Sequence, residues 1–478
     1  MIKWGISAGS HDAALAVVDD ENILFASHTE RFSKIKNDPH LNRDIVLEAL
    51  KHGKPDVVFW YENPLLKATR RLYARQKNVW LNPQSYCNAY GIDAPVLWGN
   101  HHKSHMSAGY YTSGFKTAAT LVIDAIGEWN TTTIWNQNKK VWSKNYPVSL
   151  GLFYSAFTER VGLKPNCDEY ILMGMAAYGN PVRYYQEIKD ICESGYNFHK
   201  GVKWWKSELK EEDYFDVAAA VQKIYEVYFR NLLILTKKKT GQTNLVLMGG
   251  CALNCLANRI IPEYFDSHWI MPNPGDAGSS LGSILARVKY KTWSSFPIFP
   301  FTPYLGYNID KKYPVNGLLE ILSTDKIVGV ANGRAEFGPR ALGNRSLLAD
   351  PRDPDIKDKV NRIKQRQEFR PFAPVIRQED VADYFDVPDT FRSPYMQLVV
   401  KCKDSEQFPA IVHKDGTSRV QTVESHEHPG LYELLTKWKK KTGCPMLLNT
   451  SLNIKNRPIV NDELDAKKFE KKYGVPVL

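Results

Sequence analysis

The sequence predicts an α/β fold whose first part is built from two similar halves. Three short strand patterns, IKWGISA, AALAVVD and ILFASHT, follow one another within residues 2–29, and their β-branched, alternating residues are typical of strands. The same plan returns from residue 118, where LVID, TTTIWN and VWSKNY are separated by an acidic loop and a turn. Because Asp124 then stands roughly where Asp12 stands in the first pattern, we expect a duplicated unit whose corresponding loops meet at a nucleotide or phosphate.

The length indicates more than one domain. A chain of 478 residues is too long for one ordinary core, so two or three domains are expected. Residues 290–325 are rich in Pro, aromatic residues and Lys and show little periodicity, which is typical of a linker. We therefore predict one domain over 1–300 and a second over 320–478, with strands at 327–334 and 445–453.

Within the first domain, local periodicity predicts four further elements. They are a buried strand at 56–62, amphipathic helices at 149–163 and 215–239, and a strand at 244–248.

Composition favours a soluble, cytoplasmic protein in a reducing compartment. Hydrophobic residues make up 43% and charged residues 24%. The start, MIKWGISAGSHDAA, lacks the apolar run of a signal peptide, and no apolar run is long enough to span a membrane. Seven scattered Cys argue against a disulfide framework, and Cys251 and Cys255 lack a second pair for structural zinc.

The net charge of +11 favours anionic partners, namely phosphorylated small molecules, nucleotides or nucleic acid, although it also fits simple solubility. In the basic segment 30–36, Lys36 could reach an anionic cofactor, whereas most such lysines are only solvated. Trp204 and Trp205 stand among Lys200, Lys203 and Lys206, a pattern that can stack bases and neutralise phosphates. The favoured interpretation of this Trp pair is that it covers a local core.

A metal site is predicted around HHKSHMSAGYY. His101 and His105 are four residues apart, so a helix would place both imidazoles on one face, and the next strand pattern ends at Asp124. Two imidazoles and a carboxylate suit iron, zinc or manganese, and three protein ligands leave positions open for water or substrate. Asp276 is a candidate fourth ligand or an N-cap. His102 lies off the shared face, so we expect it to be exposed or to support the ligands. The alternative is a helix cap, a packed imidazole and a turn.

Several loops could bind anions. Gly249 and Gly250 separate a strand from a helix start, where backbone N–H groups favour an anion, although this pair alone is weak evidence. His11 and Asp12 form either an Asx turn or part of a ligand site. The C-terminal part carries cations and an amide among small-residue loops, which suits phosphate and carboxylate-like groups, although each could be ordinary surface charge. These are Arg340, Arg345, Lys364, Arg370, Arg419 and Asn449.

Together these segments resemble the O-carbamoyltransferase family that decorates antibiotics and nodulation signals. The matching stretches fall in family order and span most of the chain: GSHDAALAVVDD, HHKSHMSAGYY, SLGLFYSAFTERVGL, EYILMGMAAYG, GGCALNCLAN, NPGDAGSSLGS, EFGPRALGNRSLLADPRDP, FRPFAP, DGTSRVQTV and LLNTSLN. The chain departs from the family pattern in its ending, KKFEKKYGVPVL, and in LLNTSLNIKN, where Phe more often follows the Ser.

The resemblance implies an actin-like (ASKHA), duplicated N-terminal domain and an α+β C-terminal domain similar to threonylcarbamoyl-AMP synthase. It also implies two reactions. Carbamoyl phosphate and ATP give carbamoyl-adenylate and pyrophosphate in the C-terminal domain, and the N-terminal domain transfers the carbamoyl group to an acceptor hydroxyl.

The resemblance also gives the candidate residues roles. Arg340, Lys364, Arg370, Arg419 and Asn449 would line the adenylation site and stabilise the developing charge. His101, His105, Asp124 and Asp276 would bind a divalent metal, with iron the family expectation, and His11 or Asp12 would act as general base or position the acceptor. Gly249, Gly250 and Asn254 would lie beside the nucleotide, and Lys36 and Arg345 would also contact a cofactor.

The acceptor is open at this point. Family members use sugars and small natural products, whereas the basic charge and the Lys/Trp segment favour an anionic acceptor, such as a nucleotide or a hydroxymethylated base in DNA. Two other classes of protein compete with the O-carbamoyltransferase interpretation. One is an enzyme that makes a threonylcarbamoyl-type modification in tRNA, which the GPRALGNRS and LLNTSLN motifs disfavour, and the other is a non-catalytic nucleotide- or DNA-binding protein. The sequence does not predict the oligomeric state.

Overall fold

A computed structural model describes residues 1–77, 79–193, 198–206, 208–287 and 301–478. The chain divides into two compact units, one formed by Met1–Thr29 and Asn37–Phe301 and the other by Glu30–Lys36 and Thr302–Leu478. The observed first unit therefore differs from the continuous domain expected over 1–300, because residues 30–36 belong to the second unit. This segment, which contains helix α1 (Glu30–Ser33), joins the second unit because its Arg31 guanidinium donates to Gly338 O at 3.0 Å. Residues 290–300 of the expected linker lie outside the described residues.

The first unit contains two five-stranded sheets with equivalent topology. The strands of the first sheet are β1 (Lys3–Ser7), β2 (Ala14–Val18), β3 (Ile23–His28), β4 (Val57–Trp60) and β5 (Val96–Trp98). Those of the second are β6 (Ala119–Gly127), β7 (Asn130–Asn136), β8 (Lys139–Asn145), β9 (Asn244–Met248) and β10 (Ser267–Ile270).

The orders are β3-β2-β1-β4-β5 and β8-β7-β6-β9-β10. In each sheet the first three strands form antiparallel pairs and the last two run parallel to the first strand. The predicted duplicated α/β fold is therefore confirmed.

Helices connect and cover these sheets. They are α2 (Arg43–Leu50), α3 (Pro64–Tyr73), α4 (Pro83–Ala89), α5 (His101–Thr112), α6 (Leu150–Arg160), α7 (Glu169–Met175), α8 (Val182–Glu193), α9 (Tyr214–Thr240), α10 (Cys255–Asn258) and α11 (Ser279–Leu285). Helices α5 and α11 pack closely, since a Cβ on Gly282 would lie 1.9 Å from Ser104 O. This packing holds the first turn of α5 in the interior. The helices predicted at 149–163 and 215–239 correspond to α6 and α9.

The second unit has an α+β composition. Its main sheet has the order β12-β14-β19-β15-β18, and two two-stranded sheets pair β11 with β13 and β16 with β17. The strands are β11 (Tyr304–Ile309), β12 (Ile327–Ala331), β13 (Gly333–Glu336), β14 (Arg345–Ala349), β15 (Ala373–Arg377), β16 (Val399–Lys401), β17 (Thr417–Arg419), β18 (Gln421–Val423) and β19 (Met446–Ser451). The helices are α12 (Val315–Thr324), α13 (Ile356–Lys364), α14 (Val381–Tyr384), α15 (Pro429–Thr442) and α16 (Glu463–Tyr473).

The last residues of the chain run beside β12. Leu478 N donates to Gly329 O at 3.0 Å, and Ala331 N donates to Leu478 O at 2.7 Å. The ending that departs from the family pattern is thus part of the backbone hydrogen bonding of the main sheet. In the described part of the chain, no helix is both long and apolar enough to cross a membrane.

Candidate metal centre

Four predicted ligands come together in the first unit. His101 and His105 lie one turn apart at the start of α5, where Asn100 caps the helix by accepting a hydrogen bond from Lys103 N at 3.1 Å. Asp124 lies in β6, and Asp276 opens the 3₁₀ turn Asp276–Gly278 after β10. One donor atom from each of the four side chains lies within 4.8 Å of all the others.

The spacing of these atoms suits a single cation. His101 Nε2 lies 3.1 Å from Asp124 Oδ2 and 3.3 Å from Asp276 Oδ1. His105 Nε2 lies 3.2 Å from the same Asp276 oxygen and 3.1 Å from His101 Nε2. Ligands at about 2.0–2.2 Å from one metal ion would be separated by roughly 3–3.5 Å, so most of these distances already match.

Hydrogen bonding assigns the lone pairs of these imidazoles. His105 Nδ1 lies 3.1 Å from Pro274 O, and because a carbonyl can only accept, this nitrogen carries the proton and Nε2 presents its lone pair. Two Nε2 atoms and two carboxylates then converge in a site whose residues are at most 8% exposed. Such a buried set of donor atoms can hold a divalent cation, and its chemistry fits iron, zinc or manganese.

The pKa values in the site reflect the mutual attraction of its imidazoles and carboxylates. Burial lowers the pKa of His101, but the charge of Asp276 and the hydrogen bonds to both carboxylates outweigh burial and place that pKa well above its ordinary value. Burial raises the pKa of Asp276, yet the charge and hydrogen bonds of the imidazoles hold it well below its usual range. Both carboxylates are therefore ionised at neutral pH, as metal ligands must be.

His102 is buried rather than exposed, so that part of the expectation is wrong. Its side chain faces β7, where Nδ1 lies 2.9 Å from Thr133 Oγ1. Burial and the charge of His101 lower its pKa well below the ordinary value, which keeps the ring neutral.

The loop between β1 and β2 brings His11 to the rim of the cluster. His11 Nε2 lies 3.8 Å from Asp276 Oδ2, and its Nδ1 lies 3.3 Å from Asp12 Oδ2. Burial lowers the pKa of His11, whereas the hydrogen bond to Asp12 and the charge of Asp276 raise it to about 9. With 42% of its side chain exposed, His11 is the accessible polar group next to the buried ligands.

Gly249 and Gly250 let the end of β9 approach the metal ligands. Gly250 N donates to Asp124 Oδ1 at 3.2 Å, and a Cβ on Gly249 would lie 2.2 Å from Ile123 O. Asn254 caps α10 through Ala257 N. The two glycines thus fix the second oxygen of a predicted metal ligand; nucleotide contact by these residues stays a prediction.

In the second unit, Asn449 lies against the loop that carries Arg340. Its Nδ2 donates to Ala341 O at 3.2 Å and to Gln421 Oε1 at 2.7 Å. Glu336, which sequence reasoning missed, holds the same loop because its Oε1 accepts three backbone N–H groups, those of Leu342, Asn344 and Arg345. Among the described residues, the buried Asn449 Oδ1 and Arg419 Nε have no hydrogen-bond partner, so both can serve a ligand.

Lys364 is buried at the end of α13. Its Nζ donates to Asn453 O at 3.0 Å and Asn453 Oδ1 at 2.9 Å. Burial, followed by the charges of Arg366 and Arg370, lowers its pKa well below the ordinary value. The charges of Arg366 and Arg370 thus act on Lys364, and Arg366, which the sequence did not single out, donates from Nη2 to Arg370 O at 3.4 Å.

Two predicted cofactor contacts are used inside the second unit instead. Arg345 is 0% exposed, and its guanidinium donates only to backbone carbonyls, those of Tyr307, Asn332, Gly333, Asn344 and Asn461. The prediction that Arg345 contacts a cofactor is wrong because every N–H direction is already used. Lys36 Nζ pairs with both carboxylate oxygens of Glu30, at 2.8 and 2.9 Å.

Two family models match the chain, one in each of its two units. Residues 69–285 match the carbamoyltransferase N-terminus family model, and residues 319–478 match the carbamoyltransferase C-terminus model. An uncharacterised protein of Synechocystis is 31% identical over 97% of this chain and 93% of its own length.

Two further relatives are similar over at least three quarters of both chains. Nodulation protein NolO of Bradyrhizobium diazoefficiens is 33% identical over 77% of this chain and 75% of its own. The 3'-hydroxymethylcephem-O-carbamoyltransferase of Amycolatopsis lactamdurans is 25% identical over 97% of this chain and 95% of its own. With both family models matched in order, the chain belongs to the carbamoyltransferase family and is a transferase of carbamoyl groups.

Proposed function

We propose that the protein is an ATP-dependent O-carbamoyltransferase that first forms carbamoyl-adenylate and then carbamoylates an acceptor hydroxyl. The observation that carries this proposal is the cluster of four buried donor atoms within 4.8 Å in a member of this family. In the first step, carbamoyl phosphate loses phosphate to water, and the carbamate oxygen attacks the α-phosphorus of ATP and displaces pyrophosphate. In the second step, the acceptor oxygen attacks the carbamoyl carbon and AMP leaves.

The second unit offers the groups that the first step requires. Phosphoryl transfer needs fixed positive charge around the phosphates and the leaving group. Arg370 would supply that charge, whereas Lys364, whose pKa is lowered well below the ordinary value, would hold the neighbouring Asn453 through its Nζ. Asn449 Oδ1 and Arg419 Nε, buried and without a protein partner among the described residues, can bind the carbamoyl amide and a phosphate oxygen.

The first unit offers the groups for the second step. His101, His105, Asp124 and Asp276 would hold a divalent ion, for which iron is our expectation. When bound there, the ion would supply Lewis-acid chemistry toward the carbamoyl group or the acceptor oxygen. His11 lies on the exposed rim with Asp12 beside its Nδ1, where it can donate to the acceptor hydroxyl and position it; its raised pKa favours this role over that of a general base.

For the acceptor we propose an anionic molecule, with a nucleotide or a hydroxymethylated base in DNA as the first class to test. Support comes from the net charge of +11 and from the surface around Trp204, which is 67% exposed and has Lys203 Nζ 6.0 Å from its ring centroid. Trp205 instead packs edge-on against Phe157 and Tyr184. The competing acceptor class is a sugar or a small natural product, and the similarity to a 3'-hydroxymethylcephem-O-carbamoyltransferase supports the latter.

The first experiment separates the two steps. Purified protein incubated with carbamoyl phosphate and ATP should release pyrophosphate, and Arg370→Ala should release far less. Arg362→Ala, which replaces an exposed cation of α13, is the matched control and should behave like the unchanged protein. Absence of pyrophosphate release with any acceptor would contradict the adenylation proposal.

The second experiment identifies the acceptor. Mass spectrometry of a panel containing nucleotides, hydroxymethylated DNA, sugars and small hydroxylated compounds should reveal the added mass of one carbamoyl group. Retention on DNA should fall steeply with salt if DNA is the acceptor. Modification of a free sugar together with no DNA retention at low salt would exclude DNA.

A further inference from the structure

A buried ion pair lies behind the candidate metal centre. Glu62 follows β4, and Lys67 lies one turn into α3; they are 3% and 6% exposed. Lys67 Nζ donates to Glu62 Oε1, and also to Ser10 Oγ at 2.6 Å and to Tyr61 OH at 3.4 Å. Neither residue belongs to the predicted ligand set, and burying two charges is costly unless both are satisfied.

The other carboxylate oxygen of Glu62 faces Nδ1 of His101, the ring nitrogen that would not bind the metal. Glu62 Oε2 lies 3.7 Å from His101 Nδ1. In the part of the chain that the structure describes, this buried nitrogen has no hydrogen-bond partner. If Nε2 binds a cation, the proton of the neutral ring must sit on Nδ1, so the ring presents a buried N–H toward Glu62. A movement of about 1 Å would bring the two atoms to hydrogen-bonding distance.

Lys67 explains how Glu62 can stay charged in this position. A carboxylate buried alone would take up a proton and lose much of its strength as an acceptor. Lys67 Nζ donates to Glu62 Oε1 and so places an opposite charge beside the carboxylate within the same interior. The link from Lys67 to Ser10 also fixes the loop that carries His11.

We infer that Glu62, paired with Lys67, is a positioning residue that orients His101 and strengthens it as a metal ligand. The inference rests on the metal site proposed above. Carboxylates that accept from the second nitrogen of a ligating imidazole fix its tautomer and raise its basicity. The competing explanation is a purely structural ion pair between β4 and α3.

The test uses Co²⁺ as a spectroscopic probe with the full-length protein. After treatment with a chelator, Co²⁺ affinity is measured by competition with a chromophoric chelator, and the visible absorption of the bound ion reports ligand geometry. Glu62→Gln removes the charge but keeps an acceptor oxygen, and Glu62→Leu removes both. We expect the Kd to rise about 10-fold for Gln and about 100-fold for Leu, with a shifted absorption band in each.

Two further variants separate positioning from stability. Lys67→Met should raise the Kd about as much as Glu62→Gln, and the double variant should not exceed the larger single effect, because both act on one interaction. Glu128→Gln is the matched control. Glu128 is also 3% exposed and accepts from His101, but through the backbone N–H at 3.2 Å rather than the ring. It should lower the melting temperature while leaving the Kd within about twofold.

The outcomes are distinguishable. If the unchanged protein binds Co²⁺ and the Glu62 variants fold, bind with unchanged Kd and show the same absorption band, the positioning role is refuted while the metal site stands. If Glu128→Gln weakens binding as much as Glu62→Leu, the effect is general disturbance of α5 and the inference fails. If the unchanged protein binds no Co²⁺, the metal site itself is refuted together with the inference. Should Lys67→Met not fold, the two Glu62 variants decide the question.

Discussion

Replacing Gly249 by Ala should damage both the stability of the first unit and its metal site. Gly249 adopts φ 92° and ψ 165°, a region that only Gly occupies readily, so Ala should cost about 1–3 kcal/mol there. The new Cβ would also lie 2.2 Å from Ile123 O, a backbone atom of β6 that cannot rotate away. Such overpacking adds about 1–3 kcal/mol, for a total near 4 kcal/mol.

The matched control is Gly241→Ala. Gly241 ends α9 in the left-handed conformation, with φ 66° and ψ 1°, and a Cβ there would meet nothing within 4 Å. Its cost should be the conformational one alone, about 1–2 kcal/mol. A loss of 1 kcal/mol lowers the melting temperature of a domain of this size by roughly 2–4 °C. The melting temperature of the metal-free protein should therefore fall by roughly 8–16 °C for Gly249→Ala and by roughly 2–8 °C for the control.

A second measurement connects the clash to the metal. Asp124 directly follows Ile123, so displacing that carbonyl should move a ligand, and Co²⁺ affinity should fall in Gly249→Ala but not in Gly241→Ala. Equal losses of melting temperature in the two variants would refute the steric reasoning. Unchanged Co²⁺ affinity in a folded Gly249→Ala protein would refute the claim that this backbone contact places Asp124.

Three further outcomes are expected. Asp124→Asn should lower Co²⁺ affinity by more than about 100-fold because it replaces a charged ligand, yet keep the fold, because the Asn oxygen can still accept from Gly250 N; chelator competition and circular dichroism check this. Arg345→Lys should lower the free energy of unfolding of the second unit by at least about 3 kcal/mol, since several buried carbonyls lose their donor, and denaturant titration checks this. Burial lowers the pKa of His428 to about 4 from 6.5, so the unfolded chain gains the proton first as the pH falls. The stability that depends on neutral His428 should be complete above pH 6.5 and fall by up to about 3 kcal/mol toward pH 4, and His428→Gln should flatten this dependence in urea titrations.

The metal ligands were predictable because they follow local rules. An i, i+4 pair of His needs only a helix to share a face, and the observed α5 begins at the first of the two. Asp124 directly follows Ile123, where the regular pairing of β6 with β7 is interrupted, although β6 itself continues to Gly127. Asp276 lies in the 3₁₀ turn that follows β10. The sequence placed Asp124 at the end of its strand pattern and Asp276 in a turn, so only the exact end of β6 differs.

Arg345 shows where local rules fail. A cation among glycines looks the same in sequence whether it binds phosphate or the protein's own backbone. The difference lies in tertiary structure, since carbonyls from residues as far apart as Tyr307 and Asn461 converge on one guanidinium. Glu62 and Lys67 were missed for the same reason: an acidic residue after a strand and a lysine on a helix become informative only when His101 is found beside them.

Charge balance explains why this centre can be buried so deeply. In the proposed centre the two imidazoles would be neutral as ligands, and the carboxylates of Asp124 and Asp276 together would match the charge of one divalent cation. The pair behind His101 adds no net charge, because Lys67 offsets Glu62, yet it directs its negative end toward the ring. A buried site is tolerable when its charges cancel locally, and an isolated buried ion is not. The ion pair can therefore strengthen His101 as a ligand without adding to the electrostatic cost of the interior, which is the physical reason to regard it as part of the metal site rather than of the packing alone.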